Sequence, residues 1–147
     1  MSEIASSRDE AAIRQVMDDL LRAVSEKQAE PVMALYAETP VLFTLAPPLM
    51  MKGDNRGKGL KAWFDTWRGP LQFEVRDLEI TADDKAAFLS CLTRMSGTKT
   101  DGEDVRLWFR RTLGLSKIDG AWKIVHEHQS VPYYMDGSLK AAIDLAP

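Results

Sequence analysis

Three acidic turns, Asp83-Asp84, Asp101-Gly102 and Asp119-Gly120, cut the second half of this chain into four long runs rich in β-branched and aromatic residues. Leu71 to Ile80, Lys85 to Ser96, Glu103 to Ile118 and Ala121 to Val131 read as strands, and connections this short force them into an antiparallel meander. In the first run Leu71, Phe73 and Val75 share one parity while Leu78 and Ile80 share the other. Holding all five on one face requires an extra residue, so a bulge is predicted near Arg76 or Asp77. A sheet bent in this way wraps around something.

The first half supplies what it wraps. Ser7 and Glu10 form a Ser-x-x-Glu capping box, followed by Ile13, Val16, Met17, Leu20, Leu21 and Val24 at helical spacing, which predicts an amphipathic helix over about 8–27. Pro31 suits the first turn of a short second helix that buries Val32, Leu35 and Tyr36 and stops before Pro40. A strand from Val41 to Leu45 follows, then turns at Pro47-Pro48 and Gly53 to Gly59 that flank a brief strand at Met50 to Lys52. A helix carrying Leu60, Trp63, Phe64 and Trp67 is expected to end at Gly69-Pro70. No repeat or linker divides the chain, so residues 1–147 are expected to form one domain. The tail from Tyr133 to Pro147, with Tyr134, Leu139, Ile143 and Leu145, is too apolar for a free end and is expected to pack on its own body or on a second subunit. The class is α+β: a cone-shaped, curved, mostly antiparallel sheet around N-terminal helices.

Composition narrows the function. A chain of 147 residues buries about 68–70% of its unfolded surface without staples. With 28% charged residues and a formal net charge of −3 it offers no basic field for phosphates, so nucleic acid is excluded as an expected partner. Cys91 is the single cysteine and sits in the apolar run Phe88-Leu89-Ser90-Cys91-Leu92, which indicates a buried thiol and fits a reducing cytoplasm. The first ten residues lack a basic segment followed by an apolar one, and the longest uncharged run, Thr39 to Met51, holds three prolines. Neither targeting nor a membrane partner is expected.

Candidate chemistry concentrates on the last two strands. Strict alternation puts Trp122, Ile124, His126, His128 and Ser130 on one face, an apolar wall with a few convergent polar groups of the kind that lines ligand pockets. On the preceding strand Arg106, Trp108, Arg110 and Thr112 share one face, while Val105, Leu107, Phe109, Leu113 and Leu115 share an almost wholly apolar one. If the even face turns inward, Trp108, Arg110 and Thr112 join His128 and Ser130 to receive a carboxylate or enolate on a small apolar ligand. If the odd face fills the cone, Arg106 and Arg110 lie on a polar exterior. His126 and His128 admit structural, ligand-contacting and metal-binding readings. The His-x-His spacing suits a metal only with a third ligand, and none is placed for it, so no metal and no cofactor are expected. Glu127 points to the opposite face. Gly53 to Gly59 fails the phosphate-loop pattern, no carboxylate orients a Ser130–His128 relay, and Trp63 is placed either in the core or as a pocket closure.

The element order, together with Pro47-Pro48-Leu49, Ser96-Gly97-Thr98, Trp108-Phe109-Arg110-Arg111-Thr112 and the segment Asp119 to Pro132, resembles the SnoaL-like, ketosteroid-isomerase-like branch of the nuclear transport factor 2 superfamily. The Gly-x-Trp-x-Ile-x-His-x-His-x-Ser core is also similar to the last strand of the association domain of calcium/calmodulin-dependent kinases. The resemblance implies a cystatin-like cone, a homodimer packed through the outer face of the sheet, and a pocket between sheet and helices, with His128 nearer its mouth. It also places Thr44 at the position of the isomerase base and Met17 or Leu20 where that enzyme carries a helical Tyr. Thr cannot act as a base near neutral pH, so the steroid isomerase mechanism is not expected. The resulting expectation is a protein for a small apolar or weakly acidic molecule. It would be either a cofactor-free isomerase, cyclase or dehydratase using His128 with Arg110 to stabilise negative charge, or a non-catalytic binding or oligomerisation module.

Overall fold

The computed structural model describes residues 3–53 and 56–147. Helix α1 (Glu3–Ser25) presents Ile13, Met17 and Leu20, each at most 1% exposed, to the sheet. It starts before Ser7, so the expected capping box lies inside the helix rather than at its start. Its end is a Schellman motif: Lys27 takes a positive φ of 56°, and Gln28 N–H and Lys27 N–H donate to the carbonyls of Ala23 and Val24. Helix α2 (Ala29–Ala34) carries Pro31 in its first turn, as expected. It stops short of Tyr36, which instead opens strand β1 (Tyr36–Phe43), paired in parallel with Ile124.

A two-residue strand β2 (Met51–Lys52) and helix α3 (Arg56–Phe64) lead into β3 (Trp67–Ala82), β4 (Ala86–Lys99), β5 (Asp104–Ile118) and β6 (Ala121–Ser130). The order across the sheet is β2-β1-β6-β5-β4-β3, antiparallel throughout except for β1 beside β6. Trp67 and Gly69-Pro70 belong to β3 and do not close a helix. Two extra residues are taken up between Arg68 and Gln72, with Gly69 at φ 70°, so this Gly-Pro step acts as a bend in a strand. The predicted second bulge is present: one extra residue lies between Arg76 and Glu79, and Asp77 has φ 56°. It returns Leu78 and Ile80 to the side of Leu71 and Val75, where they pack on the core.

The bent sheet closes around α1, with Leu89, Leu113, Leu115 and Ile124 at 0–1% exposure opposite the helix. At this packed end Asp9 of α1, 7% exposed, accepts from Trp122 Nε1 at 3.0 Å and meets Lys117 Nζ at 2.8 Å. Those two contacts pin the helix to β5 and β6, and they hold the Asp9 carboxyl below the usual carboxylate range. The tail folds back on itself through a Tyr133–Ala141 bridge and buries Ala142, while Met135 and Leu139 stay exposed. No helix among the described residues is long and apolar enough to cross a membrane.

Candidate functional site

The face that turns into the cone is decided by one residue of β6. Gly114 pairs with His126 but Leu115 pairs with Ile124, so β6 carries an extra residue at Val125 and its alternation changes phase. Trp122 and Ile124 face the core, and beyond the bulge Glu127 and Gln129 take the inner side. On β5 the odd register faces inward without interruption, from Val105 through Leu107, Phe109 and Arg111 to Leu113 and Leu115.

These strands, with α1, α2 and α3, enclose a cavity of about 760 Å³ whose walls are mostly apolar, including Leu20, Val24, Leu60, Trp63, Phe73 and Met95. That volume lies in the range of pockets for small organic molecules. Deep in it sits a charged cluster. Arg111 and Glu127, 6% and 3% exposed, are an ion pair with Arg111 Nε 3.0 Å from Glu127 Oε2. Gln129 Nε2 donates to the same oxygen at 2.7 Å, and the Tyr36 hydroxyl donates to Oε1. The Arg111 N–H is not aligned along its ionic contact, so Nε and Nη1 both lack a hydrogen-bond acceptor among the described residues. Trp67 Nε1, buried in another wall, also lacks one. Lys52, exposed at the rim, and Lys99, stacked 4.0 Å over the Trp67 ring, are the other charged side chains of the lining among the described residues.

The expected site residues divide between two faces. Thr44 and Trp63 line the cavity, with Thr44 Oγ1 donating to the Ala46 carbonyl at 3.1 Å. Met17 is a core residue at 1% exposure and does not line it, whereas Leu20 does. The inward placement of Trp108, Arg110 and Thr112 is corrected: the even face of β5 is the outside of the sheet. The inward placement of His126, His128 and Ser130 is corrected for the same reason, because the Val125 bulge carries them outward. There Arg110 Nε donates to Ser130 Oγ at 3.1 Å, His126 Nδ1 lies 2.8 Å from the Val41 carbonyl, and Phe43 meets both imidazoles edge-on with ring centroids at 5.0 and 5.2 Å. Trp108 lies under the guanidinium groups of Arg76 and Arg94.

Glu127, Gln129, Arg111 and Tyr36 were missed as site residues. For Arg111 a signal existed, since it is the one charged residue in the apolar odd register of β5 from Val105 to Leu115. Among the described residues no three His, Cys, Asp or Glu side chains come together in a way that could hold a metal. Cys91 is buried beside Thr93, and burial pushes its thiol up.

A curved sheet cupped around helices, with an apolar cavity and a buried polar cluster at its floor, defines a pocket-bearing cystatin-like α+β protein. Residues 13–134 match the model of the SnoaL-like domain, and the chain belongs to that family. It is similar to an NTF2-like protein of unknown function from Pseudomonas putida KT2440, with 29% identity over 96% of this chain and 98% of that one, at a TM-score of 0.86. A protein from Novosphingobium aromaticivorans DSM 12444, provisionally assigned as a scytalone dehydratase, shares the fold at TM-score 0.81 with 20% identity, over 99% of this chain and 100% of that one. The association domain of C. elegans CaMKII shares it at TM-score 0.69 with 20% identity, over 88% and 99% of the two chains. No curated protein matches the sequence significantly.

Proposed function

We propose that this protein is a cofactor-independent isomerase, cyclase or dehydratase-type lyase for a small, largely apolar molecule, with the Tyr36–Glu127–Arg111 cluster as its chemical centre. The observation that carries the reading is the nearly buried Arg111–Glu127 pair in the lining of an apolar cavity. A carboxylate there can take a proton from carbon next to a substrate carbonyl, and the electron pair moves onto the carbonyl oxygen. Arg111 stabilises that enolate oxygen, and the proton returns to another carbon, or a β-leaving group departs with it. That a protein of the same fold is provisionally assigned as a dehydratase supports the class of reaction.

Exchange of hydrogen for deuterium next to the carbonyl of small cyclic ketones in heavy water, followed by NMR, tests this without knowledge of the natural substrate. The protein should speed exchange, Glu127→Gln should slow it by about 10²-fold or more, and His128→Ala should leave it unchanged. Loss of exchange in His128→Ala with Glu127→Gln unaffected would return the chemistry to the outer face. A binding-only reading is favoured by one feature: both Glu127 oxygens already accept, Oε1 from Tyr36 and Oε2 from Gln129. It predicts ligand uptake with no exchange in any variant.

We also read the outer face of the sheet as the contact between two copies of the chain. It carries half-buried Trp108 and Phe43 and exposed Phe88, and a protein of the same fold is an association domain. Sedimentation should give a dimer that Trp108→Glu dissociates.

A further inference from the structure

Charge in the cavity runs against charge in the chain. The protein as a whole has a formal net charge of −3, yet among the described residues the cavity lining carries Arg111, Lys52 and Lys99 against Glu127. Three buried donors of that lining, Arg111 Nε, Arg111 Nη1 and Trp67 Nε1, have no hydrogen-bond acceptor among the described residues, and of these Arg111 Nε has the ionic contact with Glu127. A buried donor without an acceptor is costly, and more so when charged. Glu127 engages Arg111 on its Nε side and leaves Nη1 free for another oxygen.

We infer that the molecule this cavity takes is an organic carboxylate, its acid group on Arg111 and its hydrocarbon body among Trp63, Phe73 and Leu60. The inference rests on the cavity being the ligand site, as proposed above, and adds the substrate class. A neutral ketone satisfies one donor but leaves the excess of positive charge in place. A carboxylate meets both, since the planar guanidinium binds two carboxylates on different edges and the group carries the missing charge. Lys52 at the rim contributes mainly to the rate of capture, an effect that salt screens.

The test uses matched ligands on the unmodified protein: 2-naphthoate, 2-naphthamide and 2-acetylnaphthalene, measured by titration calorimetry at low and at physiological salt. The acid should bind at least about tenfold more tightly than either neutral analogue, as one charge-assisted pair implies. Arg111→Met should abolish that preference, the acid losing at least about tenfold more affinity than the amide. Should that variant fail to fold, Lys52→Met must still slow association of the acid and not of the amide. Neutral analogues that bind as well as the acid would overturn the substrate class and leave the cavity as a ligand site. No binding by any of the three would overturn the ligand site itself.

Discussion

Replacing Glu127 by Leu deprives a buried guanidinium of its counter-charge, and the size of the loss tests whether the site is as dry as its geometry. Arg111 is 6% exposed, its Nη1 already lacks an acceptor, and its ionic partner is Glu127 at 3.0 Å. Breaking a buried pair by removing one partner costs about 3–5 kcal/mol, because the remaining charge is neither paired nor hydrated. Here the cavity reaches Arg111, so water can enter beside it, and the lower end, about 3 kcal/mol, applies. In a domain of this size that lowers the melting temperature by about 6–12 °C. The double variant Arg111→Met/Glu127→Leu removes both charges and gives the wall two more apolar side chains. Such replacements are often neutral or stabilising, so it should recover to within about 1 kcal/mol of the parent. Urea unfolding of the three proteins, with m-values compared to confirm a common unfolded state, measures both quantities. A cost below about 1 kcal/mol for Glu127→Leu, the range of exposed pairs, or a double variant as unstable as the single one would refute a dry, buried ion pair.

The Asp9 anchor predicts a pH effect of definite sign. Hydrogen bonds from Lys117 and Trp122 depress the carboxyl below its ordinary value of 3.8. Ionised Asp9 therefore adds stability above that pH, and the contribution disappears as pH falls through the ordinary value toward the lower folded one. Acid unfolding should accordingly be steeper in the parent than in Asp9→Asn. The Cys91 thiol, pushed up chiefly by burial, should resist iodoacetamide at pH 8 in the native protein and react once urea unfolds it; prompt native labelling would contradict its placement. In Gly97→Ala the new Cβ would lie 2.8 Å from Leu71 Cδ2 and 3.0 Å from Trp67 Cε3, so a loss of about 1–3 kcal/mol is expected by thermal unfolding. Gly59→Ala, in α3 with nothing within 4 Å, should instead gain about 0.5–1 kcal/mol.

Where apolar residues alternate, the sequence was a sufficient guide to the fold. The parity switch between Val75 and Leu78 predicts the Asp77 bulge because core residues lie on both sides of it. Gly69-Pro70 misleads because the pair usually ends a helix, whereas here it sits in a long edge strand, where a missing N–H and a kink are tolerated. Tyr36 misleads in a similar way: it fits the apolar face of α2, but its backbone is claimed by pairing with β6, a contact 88 positions away at Ile124 that no local pattern records.

The site was illegible for one physical reason, and that reason ties the two faces of the sheet together. After Ile124 both parities of β6 are polar, His126, His128 and Ser130 on one and Glu127 and Gln129 on the other, so no hydrophobic alternation reports the slip at Val125. A single inserted residue thus exchanges the entire polar set between cavity and exterior. The same constraint works in reverse through β5, whose unbroken odd register delivers one cation, Arg111, to the cavity. A buried cation in an apolar wall demands an anion from the neighbouring strand, and in the register of β6 Gln129 pairs with Arg111 while Glu127 stands two pairs further along, opposite Leu113. Without the bulge Gln129 and Glu127 would face outward, His128 would face inward, and Arg111 would have no carboxylate within reach on β6. Deleting Val125, by contrast, leaves Leu115 opposite Ile124 and Gly114 opposite His126, so Glu127 and Gln129 keep the inner side and the Arg111–Glu127 pair survives; Glu127→Leu should then cost about 3 kcal/mol in the deletion variant as in the parent. A cost below about 1 kcal/mol for Glu127→Leu in the deletion variant, the range of exposed pairs, would show that the bend at the bulge, and not the register of β6 alone, holds the pair together.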